Sequence, residues 1–199
     1  MSDNNNLNLF FPTPIWSTIV DNYSDLNKSI LDYIKEIQTK DPIGIKRSNS
    51  LGWHSKDFSL DDKIPINFIN SIHNAINQAL DDMGWDKEKN KIKITSMWTI
   101  INKQNASNAR HIHANNFLSA AYYVKAPDEC GDIIFYDPRD AKSIRKPKIS
   151  SQNNLNADIV NITPKEGSLI LFPSYIHHSV STNKSNKERI VISFNIDLL

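Results

Sequence analysis

The chain is short of several things, and each shortage removes a class of protein. Its 199 residues hold one cysteine, Cys130, so no internal disulfide can form, and a closed structural zinc site lacks the thiolates it usually needs. No run approaches the roughly 18 apolar residues of a membrane-spanning helix. Net charge is only +1 and the lysines are scattered, which argues against binding nucleic acid through counterion release. The densest basic run, 142–148, reads as a solvated loop. The first residues, Met1-Ser-Asp-Asn-Asn-Asn, show neither a basic n-region nor an apolar h-region. No secretory signal is therefore expected, and a cytoplasmic protein is. Glycine is scarce while Asn, Lys and Ile are abundant, a bias that carries no chemistry.

What is present is ordinary for a globular protein: 39% apolar and 23% charged residues. The length suits a single domain, 1–199, with a helical and extended prefix over 1–90 and a β-rich core over 91–199. Residues 1–8 are polar and read as loosely attached. Residues 10–16 form an apolar extended segment whose two prolines allow an edge strand at best. Ser24-Asp25 can cap a helix carrying Leu26, Ile30, Ile34 and Ile37 at helical spacing. A loop over 41–59 follows, then a second amphipathic helix over 65–83 with Pro65 in its first turn.

From residue 91 the period changes to two, with Ile92, Ile94, Ser96, Trp98 and Ile100 alternating against Lys93, Thr95, Met97 and Thr99. Further strands are expected over 117–124, 132–136, 158–162, 168–172 and 189–196, separated by turn signals such as Asp137-Pro138 and Pro164-Lys-Glu-Gly167. Helices first and a run of short strands after them predict a mainly β fold, with helices packed on one side of an antiparallel sandwich or barrel. Trp16, Trp53, Trp85 and Trp98 read as core.

The chemistry sits in the histidines. In His111-Ile112-His113 the two imidazoles are two residues apart, so on extended backbone both can aim at one point. His178 lies beyond the strand ending at Phe172-Pro173, which is expected to run beside the strand near His111. Three ligands from one side leave two or three coordination positions free, the geometry of open non-haem Fe(II) sites. His177 competes with His178, but adjacent residues face opposite ways and His178 is preferred. His54 and His73 lack partners, and Asp137 is the reserve carboxylate should His113 not bind. Arg189 is the one arginine in the last fifty residues and heads an apolar run, so its charge must be paired somewhere. Alternation then puts Arg189, Val191, Ser193 and Asn195 on one face.

From about residue 10 to residue 197 the chain resembles the 2-oxoglutarate- and Fe(II)-dependent oxygenases, nearest a small bacterial and phage branch of the prolyl-hydroxylase-like group. The matching pieces are Phe11-Pro-Thr-Pro14, Gly52-Trp-His-Ser55, Asn108-Ala-Arg-His-Ile-His113, Ser119-Ala-Ala-Tyr-Tyr-Val124, Gly131 through Arg139, Phe172-Pro-Ser174 through His178, and Arg189-Ile-Val-Ile-Ser-Phe-Asn195. The resemblance implies a double-stranded β-helix (jelly-roll, cupin-like) barrel and a dioxygenase that hydroxylates an unidentified substrate. It implies Fe(II) held by His111, His113 and His178, with 2-oxoglutarate as cosubstrate. It also implies that Arg189 grips the distal carboxylate, with Ser193 and Tyr123 beside it. Asn108 and Asn195 can line the iron pocket, Asn195 together with Arg189 as a catalytic residue. The wider superfamily has an aspartate or glutamate where this chain has His113; a neutral set leaves the iron one unit more positive and should favour an anionic chelate.

Two other readings stand beside this one: a cupin-like dioxygenase or isomerase using the same histidines without 2-oxoglutarate, and a binding module that kept the barrel and lost the chemistry. The substrate, a small molecule or a protein side chain, is not named by the sequence. A homodimer through residues 10–16 is open.

Overall fold

The order of strands in two facing sheets is what brings the distant sequence pieces together. The computed structural model describes residues 6–140 and 146–199; the start of the chain and most of the basic run 142–148 lie outside these. In chain order the elements are β1 (Trp16–Ile19), α1 (Tyr23–Lys40), β2 (Asn49–Ser50), β3 (Trp53–His54), α2 (Lys63–Asp82), β4 (Ile92–Asn102), β5 (Ser107–His111), β6 (Leu118–Lys125), β7 (Ile133–Tyr136), β8 (Ile159–Ile162), β9 (Ser168–Pro173), β10 (His178–Val180) and β11 (Arg189–Leu198). One sheet runs β1-β9-β6-β11-β4-β3 and the other β2-β5-β10-β7-β8. Each described pairing is antiparallel.

The last eight strands cross repeatedly between the sheets, so β4, β6, β9 and β11 make the centre of one, and β5, β10 and β7 with β8 at the edge make up the other beside β2. This is the double-stranded β-helix, or jelly roll. Among the described residues the sheets are open at their edges rather than bonded into a closed ring. The short strands β1, β2 and β3, from a stretch expected to hold one edge strand and a loop, extend both sheets. Residues 10–16 do not form the expected strand. Pairing begins only at Trp16, after the second proline, and Phe10 and Phe11 stand exposed.

The larger sheet has two differently used faces, set by the two-residue period of its strands. Met97, Ile101, Leu118, Ala120, Tyr122, Val124, Leu169, Leu171, Ile190, Ile192, Phe194 and Ile196 face the helices and form one core with Ile30 and Ile34 of α1 and Phe68, Ile72, Ile76, Ala79 and Leu80 of α2. The α2 residues recur at three and four, so they line one stripe. Phe68 packs its ring 4.9 Å from Tyr122 and 5.9 Å from Phe194. Burial of such a side chain stabilises by about 1.5–3 kcal/mol. A buried polar tie fixes α1: Tyr122 donates to Asn27 Oδ1 at 2.6 Å, and Asn27 Nδ2 donates to the Val124 carbonyl at 3.0 Å. The opposite face presents Ser96, Trp98, Ile100 and Asn102 from β4, Tyr123 from β6, Phe172 from β9, and Arg189, Val191, Ser193 and Asn195 from β11 to the space between the sheets.

Helix α1 starts at Tyr23 behind an uncapped Asn22, not at the Ser24-Asp25 cap expected. A tertiary contact overrides the local signal: the Tyr23 ring lies where a Cβ on Gly167 would be 2.3 Å away, and Gly167 has φ +79°. Among the described residues, no helix is long and apolar enough to cross a membrane.

Candidate active site

The histidine cluster is built by one strand pairing and one irregularity. β10 lies antiparallel to β5, with His178 directly opposite His111. This corrects the expectation that the strand ending at Pro173 would run there. That strand, β9, belongs to the other sheet, and residues 174–177 cross the gap so that His178 itself opens β10. Two steps later Val180 opposes Asn108, so β5 carries one extra residue, a β-bulge. The bulge lets Asn108 and His111, three apart, line the same cavity. His113 follows the end of β5 and is pinned by its own N–H donating to the Ser174 carbonyl at 3.0 Å.

His111, His113 and His178 each offer one nitrogen, and these lie within 4.8 Å of one another. The ring centroids are 4.3 to 5.2 Å apart. In each ring Nδ1 meets a carbonyl oxygen: Ala109 O at 2.7 Å for His111, Asn195 Oδ1 at 2.6 Å for His113 and Ile176 O at 3.2 Å for His178. A carbonyl can only accept, so Nδ1 carries the proton and Nε2 is left with the lone pair a metal needs. Burial pushes the His113 imidazole down to about 4 and His178 to about 3, with neighbouring histidines adding to the shift at His178. Burial also lowers His111. All three are therefore neutral, ligand-ready bases at neutral pH. Phe172 packs 4.7 Å from His178 and makes one dry wall.

Arg189 lines the same cavity of about 640 Å³ and is 1% exposed. Its Nη1 donates to the carbonyls of Cys130 at 2.6 Å and of Gly131 and Ser181 at 3.4 Å. Its Nη2 is buried and without a partner among the described residues. Leaving a charged donor unmet costs more than the roughly 1–3 kcal/mol of a neutral group, so with one side of the guanidinium anchored, the other side suits an anion. Burial lowers the Arg189 pKa and raises that of Tyr123, which sits beside it in the cavity as a neutral phenol. Ser193 lies one alternation from Asn195 and also lines the cavity. A dicarboxylate chelating a metal at one end and ending on Nη2 at the other fits these donors.

The structure thus brings together the eight residues singled out by the sequence: His111, His113, His178, Arg189, Tyr123, Ser193, Asn108 and Asn195. Asn108 accepts from Asn102 Nδ2 at 2.9 Å and donates to Ser48 Oγ at 3.2 Å, which stands 3.5 Å from His111 Nε2. Asp137 does not join the cluster and instead takes a bidentate grip on Arg139. His177 is exposed and His73 bonds Asn77 on the surface of α2. Two residues the sequence did not mark belong to the cavity. His54 is buried and stacks on Trp98, centroids 5.7 Å apart, and Trp98 in turn meets His113 at 5.6 Å. Trp98 therefore forms a cavity wall rather than core; its place in the same alternation as Ser96 and Asn102 was the available signal.

Residues 96–195 match the family described as "Putative 2OG-Fe(II) oxygenase". No curated protein sequence matches the chain. Among solved structures, the chain is similar to a Pseudomonas putida prolyl-4-hydroxylase (TM-score 0.62, 12% identity, covering 93% of this chain and 92% of that one). It is also similar to the viral collagen prolyl hydroxylase of Paramecium Bursaria Chlorella virus-1 in its 2OG complex (TM-score 0.57, 18% identity, 91% and 95% covered). A third likeness is to HygX from Streptomyces hygroscopicus with nickel, 2-oxoglutarate and hygromycin B bound (TM-score 0.64, 8% identity, 93% and 83% covered). At these identities the structural likenesses establish the shared fold.

Proposed function

This chain belongs to the 2OG-Fe(II) oxygenase family of oxidoreductases, and from that premise we propose that His111, His113 and His178 hold Fe(II) through Nε2 while Arg189 Nη2 takes the distal carboxylate of 2-oxoglutarate. The observation that carries the assignment is the pairing, in one cavity, of three converging imidazole nitrogens with a buried guanidinium whose second nitrogen is unmet. When bound, Fe(II) and 2-oxoglutarate supply the reaction of the family: O2 and 2-oxoglutarate are converted with a substrate C–H bond into succinate, CO2 and the corresponding alcohol.

The protein's part is to orient and to exclude. Arg189 fixes one end of the cosubstrate, with its own position set by three carbonyls; Tyr123 and Ser193 flank the path from Arg189 toward the histidines. Asn195 holds the His113 ring at the angle its ligand role requires, and Asn108 braces Ser48 next to His111. Phe172, Val191 and Ile133, apolar residues of the cavity lining, keep water from the cosubstrate. The half of the cavity lined by Ile45, Arg47, His54 and Trp98 is left for the substrate, a small molecule or a peptide side chain. A cupin-like reaction without 2-oxoglutarate would have no use for the buried guanidinium. A cytoplasmic location, and a homodimer through residues 10–16, of which Phe10 and Phe11 are exposed, remain part of this proposal.

Anaerobic addition of Fe(II) and 2-oxoglutarate together should produce a visible metal-to-ligand band, and Arg189→Ala should raise the 2-oxoglutarate needed for succinate formation at least 100-fold. No band, with succinate formation indifferent to Arg189→Ala, would sink the assignment.

A further inference from the structure

The part of the cavity away from Arg189 holds four unmet polar groups gathered about one buried ring. His54 is 5% exposed and stacks flat on Trp98. Its Nδ1 donates to the Ser55 carbonyl at 2.6 Å, so Nε2 keeps a lone pair, and no described residue donates to it. Trp98 Nε1 is a buried N–H that no described residue accepts. Arg47 and Asp57 line the same cavity, and neither side chain has an ion pair or hydrogen bond among the described residues. Burial lowers the His54 pKa and the Ser55 carbonyl raises it in part; Arg47 adds to the lowering and Asp57 opposes it, which places both charges near the ring. Arg110 also lines the cavity, but its guanidinium lies over the Tyr136 ring, 4.3 Å from the centroid. The Trp98 ring is 5.6 Å from that of His113, so this polar patch adjoins the histidine cluster.

We propose that the substrate is a free α-amino acid, its carboxylate held by Arg47 and the Trp98 N–H and its ammonium by Asp57 and His54 Nε2. The proposal rests on the functional assignment above and names the substrate class for the same site. The match is one of sign and number. Two donors, one of them charged, meet a group that only accepts; two acceptors, one of them charged, meet a group that only donates. Opposite charges that line one cavity without pairing suit a dipole between them, and a zwitterion adds no net charge to the site. A purely anionic substrate would leave Asp57 facing like charge, and a purely cationic one would do the same to Arg47. An amino acid within a peptide has lost both charges to its amide bonds. Beyond the head group the cavity walls are Ile45 and Ile100, which suit an aliphatic side chain. With the head group against Trp98, that side chain is the part that reaches toward the three histidines.

The test uses the full chain loaded with Mn(II) and 2-oxoglutarate in the absence of oxygen, titrated in a calorimeter with the standard L-amino acids one by one. At least one aliphatic L-amino acid should bind. Its methyl ester and its N-acetyl form should each bind about tenfold more weakly or worse, the usual loss when one side of a charge-assisted contact is removed. Arg47→Gln should weaken the free amino acid by a similar factor and leave the methyl ester unaffected. Asp57→Asn should weaken the free amino acid and leave the N-acetyl form unaffected. Both side chains are exposed, so neither substitution removes core packing. If none of the amino acids binds to protein that does take up Mn(II) and 2-oxoglutarate, or if the ester and the N-acetyl form bind as tightly as the free amino acid, the substrate class is overturned and the family assignment stands. Failure to take up Mn(II) and 2-oxoglutarate overturns the metal and cosubstrate assignment, and this proposal with it.

Discussion

His113 Nδ1 lies 2.6 Å from Asn195 Oδ1, a hydrogen bond that spans 82 positions of the chain and links the end of one sheet to the last strand of the other. Asn195 is itself fixed from both sides, accepting from Ser119 Oγ at 2.8 Å and donating to Ser96 Oγ at 3.0 Å. The ring that would sit closest to the cosubstrate strand is thus oriented by a side chain of that strand.

Asn195→Ala removes this hold without touching a ligand. Partners of metal-binding histidines are worth about 10- to 100-fold in affinity. Co(II) titration followed by its visible absorption should show a loss of that size, while circular dichroism stays that of the wild type.

Gly131 lies under the anchored side of Arg189. Its φ is +90°, and a Cβ there would fall 2.4 Å from the Ser181 carbonyl and 3.0 Å from Arg189 Nη1. Gly131→Ala should cost about 1–3 kcal/mol in strained backbone and displace the guanidinium. The expected readout is a lower melting temperature together with an apparent KM for 2-oxoglutarate raised tenfold or more.

Acid should destabilise the ligand-free protein through the histidine cluster. Their folded-state pKa values are depressed below the ordinary 6.5, to about 4 for His113 and about 3 for His178. Between those values and 6.5 the unfolded chain binds protons the folded one refuses, so stability is full above about pH 6.5 and falls as pH drops through that window. Melting temperatures from pH 7.5 to 4 should decline over this range, and His178→Gln should flatten the decline.

Phe68→Ala, on the helix side of the larger sheet, should cost about 3–5 kcal/mol and leave turnover per folded molecule unchanged. A chemical denaturation series paired with an active-site titration by Mn(II) separates the two quantities.

The sequence disclosed the strands that run long or alternate cleanly. β4 and β11 show the two-residue period, and β6, β9 and β11 are buried along almost their whole length, as the strands of a doubly covered sheet are. It disclosed the histidine cluster because His-x-His and a distant histidine need only extended backbone to converge. It did not disclose β2 and β3, whose two-residue length leaves no period to read, nor the bulge in β5, whose extra residue looks like any other until the partner strand is in place. His54 was invisible for a related reason, since an isolated histidine in a loop carries no sign of the strand it will pair beside, whereas Trp98 shares the alternation of Ser96 and Asn102 in β4. The jelly roll implied by the resemblance is the fold observed, and among the described residues its two sheets are not bonded into a closed ring.

The larger sheet divides its labour by parity. Odd-numbered positions of β11 from Arg189 to Asn195 look onto the cavity, and even-numbered ones from Ile190 to Ile196 look onto the helices. A lineage can therefore repack its helical layer, gaining or losing thermal tolerance, without rewriting the cavity wall, and can retune that wall without forfeiting its scaffold. A change that harms both at once is an insertion or deletion inside β11, which would exchange the two sets and turn a guanidinium into the greasy interior.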